Sequence, residues 1–182
     1  MALRPTPFRR FYNFVQTLTP PTITAIMATI VSLCSLFLSI YQTKMMIKQQ
    51  NASVWPNLLL FSTNGLDGTE FYQGISLWNQ GIGPAIIKEV SVEYKGKTYK
   101  EAYEAVRQLY HDLGRDSLTK SSMSLHSLGE GFSFGPTQNW EWIRISGEGG
   151  RVLQEHFGEF KIRIRYSSVY GETWESRLGY EK

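Results

Sequence analysis

The sequence predicts a mainly β fold: an N-terminal transmembrane helix followed by an antiparallel β-sandwich-like domain with one short amphipathic helix. Three observations predict it. Residues 11–43 contain no Asp, Glu, Lys or Arg. Beyond residue 54, short runs with a two-residue apolar period alternate with Gly, Asn, Asp and Pro punctuation. One segment, 101–114, switches to the helical period.

The apolar run is clearest in ITAIMATIVSLCSLFLSIY, Ile23 to Tyr41. Nineteen residues rise about 28 Å as a helix, enough for the hydrocarbon layer of a bilayer. Its Ser and Thr hydroxyls can bond back to the helix backbone, so they do not forbid a span. Pro20 and Pro21 suit a helix start. The run is long for a signal-peptide core, and SIYQTKM offers no small-x-small cleavage site. The residues that follow, Thr43 to Ser53, are polar with few breakers and read as a helical stalk. The partition is therefore 1–19, a basic cytoplasmic N-terminus; 20–43, the transmembrane helix; 44–53, the polar stalk; and 54–182, the β-sandwich-like domain.

Within that domain, strand one is expected over about 54–62 and strand two over about 70–79. The turn dipeptides Asn64-Gly65 and Asp67-Gly68 link them. Strand three, about 85–94, alternates Val90, Val92 and Tyr94 with Glu89, Ser91 and Glu93, and Lys95-Gly96 turns the chain into a short return strand. Ala102, Ala105, Val106, Leu109 and Leu113 form the stripe of the amphipathic helix, with Gly114 at its C-terminal cap. Residues 115–139 read as irregular, with short strands near 122–128 and 131–134. WEWIRI, Trp140 to Ile145, has strand composition without a clean period, and SGEGG, 146–150, reads as a loop. The cleanest alternation sets Phe160, Ile162, Ile164 and Tyr166 against Lys161, Arg163 and Arg165. Trp174, Ser176 and Leu178 share a face of the last strand.

Charge divides the chain. Of 19 basic residues, Arg4, Arg9, Arg10, Lys44 and Lys48 precede residue 51, where no acidic residue occurs. The remainder carries 14 basic and 16 acidic residues, which argues against nucleic acid as a partner. More positive charge before the span than after it points to a cytoplasmic N-terminus and a periplasmic domain in a bacterial inner membrane.

The chemistry-bearing residues are sparse. Cys34 is the only cysteine and lies in the apolar run, so no intramolecular disulfide can form. His111, His126 and His156 lack metal-ligand spacing, and no G-x-S-x-G elbow occurs. No metal, cofactor or catalytic residue is expected. Asn79-Gln80-Gly81-Ile82-Gly83-Pro84 has a single G-x-G and no Walker lysine, and it leads into a strand, so it reads as a structural turn. Asn79 would bond its own turn backbone, Gly81 and Gly83 would take positive φ, and Pro84 would fix the exit angle. Trp140, Trp142 and Trp174, with the row Lys161, Arg163 and Arg165, are the candidate interaction surface. Carboxylates beside the tryptophans (Glu141, Glu172 and Glu175) open an alternative, a glycan-binding or sensing surface.

ASVWPNL, LWNQGIGPAIIKEVSVEYKGK and IRYSSVYGETWE together resemble a class of bacterial membrane-anchored proteins. In that class one N-terminal transmembrane helix and a short polar stalk precede an extracytoplasmic β domain. The likeness rests on Trp55-Pro56, Asn79, Gly81, Gly83, Pro84, Ala85, Tyr166, Tyr170-Gly171-Glu172 and Trp174. It implies an architecture and no particular chemistry. The expected function is a non-enzymatic interaction module on the bilayer, of the kind that serves as an accessory subunit, with a membrane protein partner or self-association expected. The alternative is the ligand-binding or sensing domain, and a hydrolase ranks below both.

Overall fold

The computed structural model describes residues 19–114 and 121–179. The chain divides into two compact units, Met1–Gln49 and Gln50–Lys182. Arg4, Arg9 and Arg10 lie outside the described residues.

The first described element is one unbroken helix, α1 (Pro20–Ser53), which runs through the apolar stretch and the polar residues after it. None of its residues is buried. Thr24, Thr29, Ser35 and Thr43 each donate a hydroxyl hydrogen bond to the carbonyl four residues earlier. The polar atoms of these side chains are thus satisfied by the helix itself, and its surface stays apolar. It is long and apolar enough to cross a membrane.

The second unit is built from two antiparallel sheets. The first, ordered β1-β2-β7-β5, contains β1 (Leu58–Asp67), β2 (Glu70–Asn79), β5 (Met123–Leu125) and β7 (Asn139–Ser146). The second, ordered β4-β3-β8-β9, contains β3 (Ala85–Tyr94), β4 (Lys97–Tyr99), β8 (Phe160–Ser167) and β9 (Thr173–Leu178). The two-residue β6 (Ser133–Phe134) pairs with the start of β3. Leu58, Leu60, Ile75, Leu77, Ile143 and Ile145 from the first sheet share one apolar core with Ile87, Val92, Ile162 and Ile164 from the second. The Leu58 amide also donates to the Tyr166 hydroxyl, 3.2 Å away, joining the sheets where β1 meets β9.

The alternation in β8 is realised in full: Phe160, Ile162, Ile164 and Tyr166 are buried. Lys95 and Gly96 both take positive φ, as a two-residue hairpin between β3 and β4 requires. The turn between β1 and β2 is Gly68-Thr69, with Gly68 at φ +63°. Asn64-Gly65, expected to turn, instead lies inside β1, opposite Gln73 and Tyr72. The Tyr72 ring covers Gly65, and a Cβ there would lie 3.0–3.2 Å from it. A cross-strand aromatic thus fills the space the glycine leaves in the strand.

The helical content of this unit exceeds the single expected helix. α2 (Ala102–Asp112) occupies the predicted segment, with Ala102, Ala105, Val106 and Leu109 buried. Leu113 turns outward at the cap and Tyr110 takes its place in the buried stripe. A further helix, α3 (Glu148–Glu155), begins within the segment 146–150 that was expected to be a loop, and a 3₁₀ turn (Phe157–Glu159) follows it. Gly149 and Gly150 argue locally against helix, and Gly150 is required by packing. A Cβ on Gly150 would overlap the Ile145 carbonyl, so only glycine lets α3 lie this close to β7. The Tyr110 hydroxyl donates to the Gly149 carbonyl at 3.1 Å and links the two helices. Burial pushes its pKa up to about 12, which keeps it a neutral donor. With these helices and the 34 residues of α1, helix and strand are nearly balanced over the chain, and the fold is less purely β than expected.

Candidate functional site

The N-x-G-x-G-P segment between β2 and β3 is a buried knot centred on Asn79, which is fully buried. Its amide nitrogen donates to the carbonyls of Gly83 (2.8 Å), Gly135 (3.0 Å) and Phe134 (3.2 Å). Its oxygen accepts from the amides of Gly81 (3.0 Å) and Asn57 (3.1 Å). One side chain therefore joins three stretches: residues 54–57, the β2–β3 turn, and the chain after β6. Main-chain bonds reinforce the join, from Gln80 to the Asn57 carbonyl and from Ile82 and Gly83 to the Trp55 carbonyl.

Gly81 and Gly83 serve this knot by a means the sequence did not reveal. Neither takes positive φ. A Cβ on Gly81 would overlap the Trp55 carbonyl and the Asn57 amide, and one on Gly83 would lie within 2.6 Å of three main-chain atoms of Val54. The glycines are needed because two backbones touch. Pro84, half-buried, closes the turn without an amide that would need a partner.

The three tryptophans separate. Trp142 is 2% exposed and belongs to the core, so it contributes nothing to an outer surface. A β-bulge explains its position. Ile75 pairs with Ile143 and Ser76 with Glu141, leaving Trp142 as the extra residue of β7. The bulge also accounts for the missing two-residue period in WEWIRI. Trp140 is half-buried and stacks on Phe132 at 5.1 Å and 9°. Trp174 is half-buried over Tyr166, with ring centroids 6.1 Å apart.

Lys161, Arg163 and Arg165 do form a row on the outer face of β8. The opposing strand neutralises much of it: Lys161 lies 3.5 Å from Glu93 and Arg165 lies 3.0 Å from Glu89. Arg163, between them, pairs in register with Ser91 and Arg177. Exposed pairs of this kind contribute little to folding. Arg165→Ala is expected to shift the unfolding free energy by about 0.5 kcal/mol or less, measured by urea titration.

The remaining titratable groups fasten elements together. Lys95, at the β3–β4 turn, lies between Asp112 (3.8 Å) and Glu159 (3.6 Å). His156 shares a 2.7 Å hydrogen bond with Glu159, the main reason that carboxyl is held below its usual range, with Lys95 adding to the effect. His126 packs on Trp140 and His111 lies beside Asp112, so the three histidines have different neighbours. Among the described residues no group of three or more His, Cys, Asp or Glu is arranged to hold a metal. Sequence reasoning passed over Lys97 and Arg107, which border an open groove between β4 and α2. Their only local signal is three cations (Lys97, Lys100 and Arg107) within eleven residues.

No protein-family model matches the chain, and no curated protein sequence matches it.

Proposed function

We propose that the protein is a membrane-anchored, non-enzymatic interaction module. Residues 20–43 span a bacterial inner membrane with the N-terminus in the cytoplasm. The paired sheets of residues 54–182 form a sandwich-like periplasmic domain that serves as an accessory subunit of a membrane protein assembly. The observation that carries this reading is the surface of α1. Its large apolar side chains, among them Phe37 (71% exposed) and Leu38 (60%), are left uncovered. Each apolar side chain of that size gains about 1.5–3 kcal/mol on leaving water, so a helix clad in them calls for an apolar surrounding. Arg4, Arg9 and Arg10 before the span, against Lys44 and Lys48 after it, support the orientation.

The glycan reading built on tryptophan draws less support, because Trp140 and Trp174 both have one ring face against another aromatic. The test is fractionation of cells carrying the full chain with a C-terminal tag. The tag should stay with membranes through alkaline carbonate, become protease-sensitive when only the outer envelope is opened, and recover a stoichiometric membrane protein after mild crosslinking. Release by carbonate would defeat the anchor. Recovery of nothing but the chain itself, as a monomer, would defeat the accessory role.

A further inference from the structure

The second unit carries two sets of positive side chains, and they differ in what opposes them. On β8 the cations lie against glutamates of β3. Where β4 meets α2, neither Lys97 nor Arg107 has a carboxylate within 4 Å among the described residues. Both border a groove of about 580 Å³. The Lys97 ammonium lies over the ring of Tyr99, 5.1 Å from its centroid, which holds that charge at the groove. Arg107 stands one turn along α2 from Tyr103. Tyr103 is 49% exposed, a large ring left in water, and it also borders a smaller cleft of about 250 Å³ that His126 and Ser127 help to line. Gln108 and Thr98 add neutral hydrogen-bonding groups, and among the described residues Glu104 is the one carboxylate lining the groove.

We infer that this groove binds an anionic sugar chain, a glycan bearing carboxylate or phosphate groups. Lys97 and Arg107 take the anion, the guanidinium by two parallel N–H donors. The exposed ring of Tyr103 packs against the apolar face of a sugar ring, and Gln108, Thr98 and Glu104 bond hydroxyls. Because Tyr103 borders both clefts, a ligand of more than one unit can run past it. An acidic peptide is the nearest rival, but strand addition would need a longer edge than the three residues of β4. The inference goes beyond the anchored-module reading and does not depend on it.

The test uses the full chain in detergent micelles, immobilised by its tag, with four probes in solution. These are oligogalacturonate, poly(ribitol phosphate), neutral maltohexaose and poly-glutamate. Oligogalacturonate or poly(ribitol phosphate) should bind saturably, which also separates the carboxylate source from the phosphate source, while maltohexaose should not. Lys97→Ala with Arg107→Ala should weaken binding at least tenfold. Tyr103→Ala should weaken it at least fivefold without changing the melting temperature. Arg165→Ala, on the opposed row, should leave binding unchanged. Absence of binding by both anionic glycans overturns the inference. So does an equal loss in Arg165→Ala, or poly-glutamate binding as tightly as the glycans and indifferent to Tyr103→Ala.

Discussion

Asn79→Ala should cost the domain about 3–5 kcal/mol. The substitution removes the side chain that now meets three carbonyls and two amides, in bonds that are buried except at Asn57 and Gly135, which are half-buried. A single buried polar group left unpaired costs about 1–3 kcal/mol, and partial relaxation keeps the total below the sum of five. Against an ordinary domain stability of about 5–15 kcal/mol this is a large fraction. Asn79→Asp should be no milder. Its carboxylate keeps one oxygen as the acceptor for Gly81 and Asn57 but points the other at the carbonyls of Gly83, Phe134 and Gly135. Urea unfolding of the full chain in detergent, followed by tryptophan fluorescence, should show a midpoint lowered by on the order of 2 M. A drop below about 0.5 M would mean that the knot's main-chain bonds hold without the side chain.

The second large effect belongs to Gly83→Ala, expected to cost about 3 kcal/mol. The added methyl would collide with the main chain of Val54, which cannot swing aside as a side chain can. Gly129→Ala is the control. Nothing lies within 4 Å of a Cβ there and its φ is not positive, so its cost should stay within about 0.5 kcal/mol. Equal costs at the two positions would show that backbone entropy, and not the close approach to Val54, governs Gly83. Because Asn79 and Gly83 hold the same turn, their combined substitution should cost less than the sum of the two.

The sequence carried the fold wherever local pattern and tertiary demand agree. β8 alternates because one face meets the core and the other meets charged neighbours, and Lys95-Gly96 turns because the hairpin needs two positive φ values. It failed where a distant contact overrides local preference. Gly65 looks like a turn residue until Tyr72 is found lying across it. Gly149-Gly150 looks like a loop until Ile145 is found against the helix. Trp142 looks like a candidate for the surface until the bulge turns it inward. Asn79 was legible as a strand end that bonds its own turn backbone, and its bonds to Gly81 and Gly83 are of that kind. Its other partners lie 22 and up to 56 residues away, and no spacing rule could supply them. The Lys161–Arg165 row was legible as a row, but the glutamates that oppose it come from β3.

The strand order has a consequence for synthesis. β2 in the first sheet is completed by β7, and β3 in the second by β8, partners separated by about seventy residues. The hairpins β1–β2 and β3–β4 therefore emerge early as half-sheets with one edge bare, and neither can close its core alone. Closure must wait until the chain has been made past Ser167. Such non-local pairing is slow and leaves unpaired edges open to wrong partners. A nascent chain of this order depends on being shielded from its neighbours until β7 and β8 arrive.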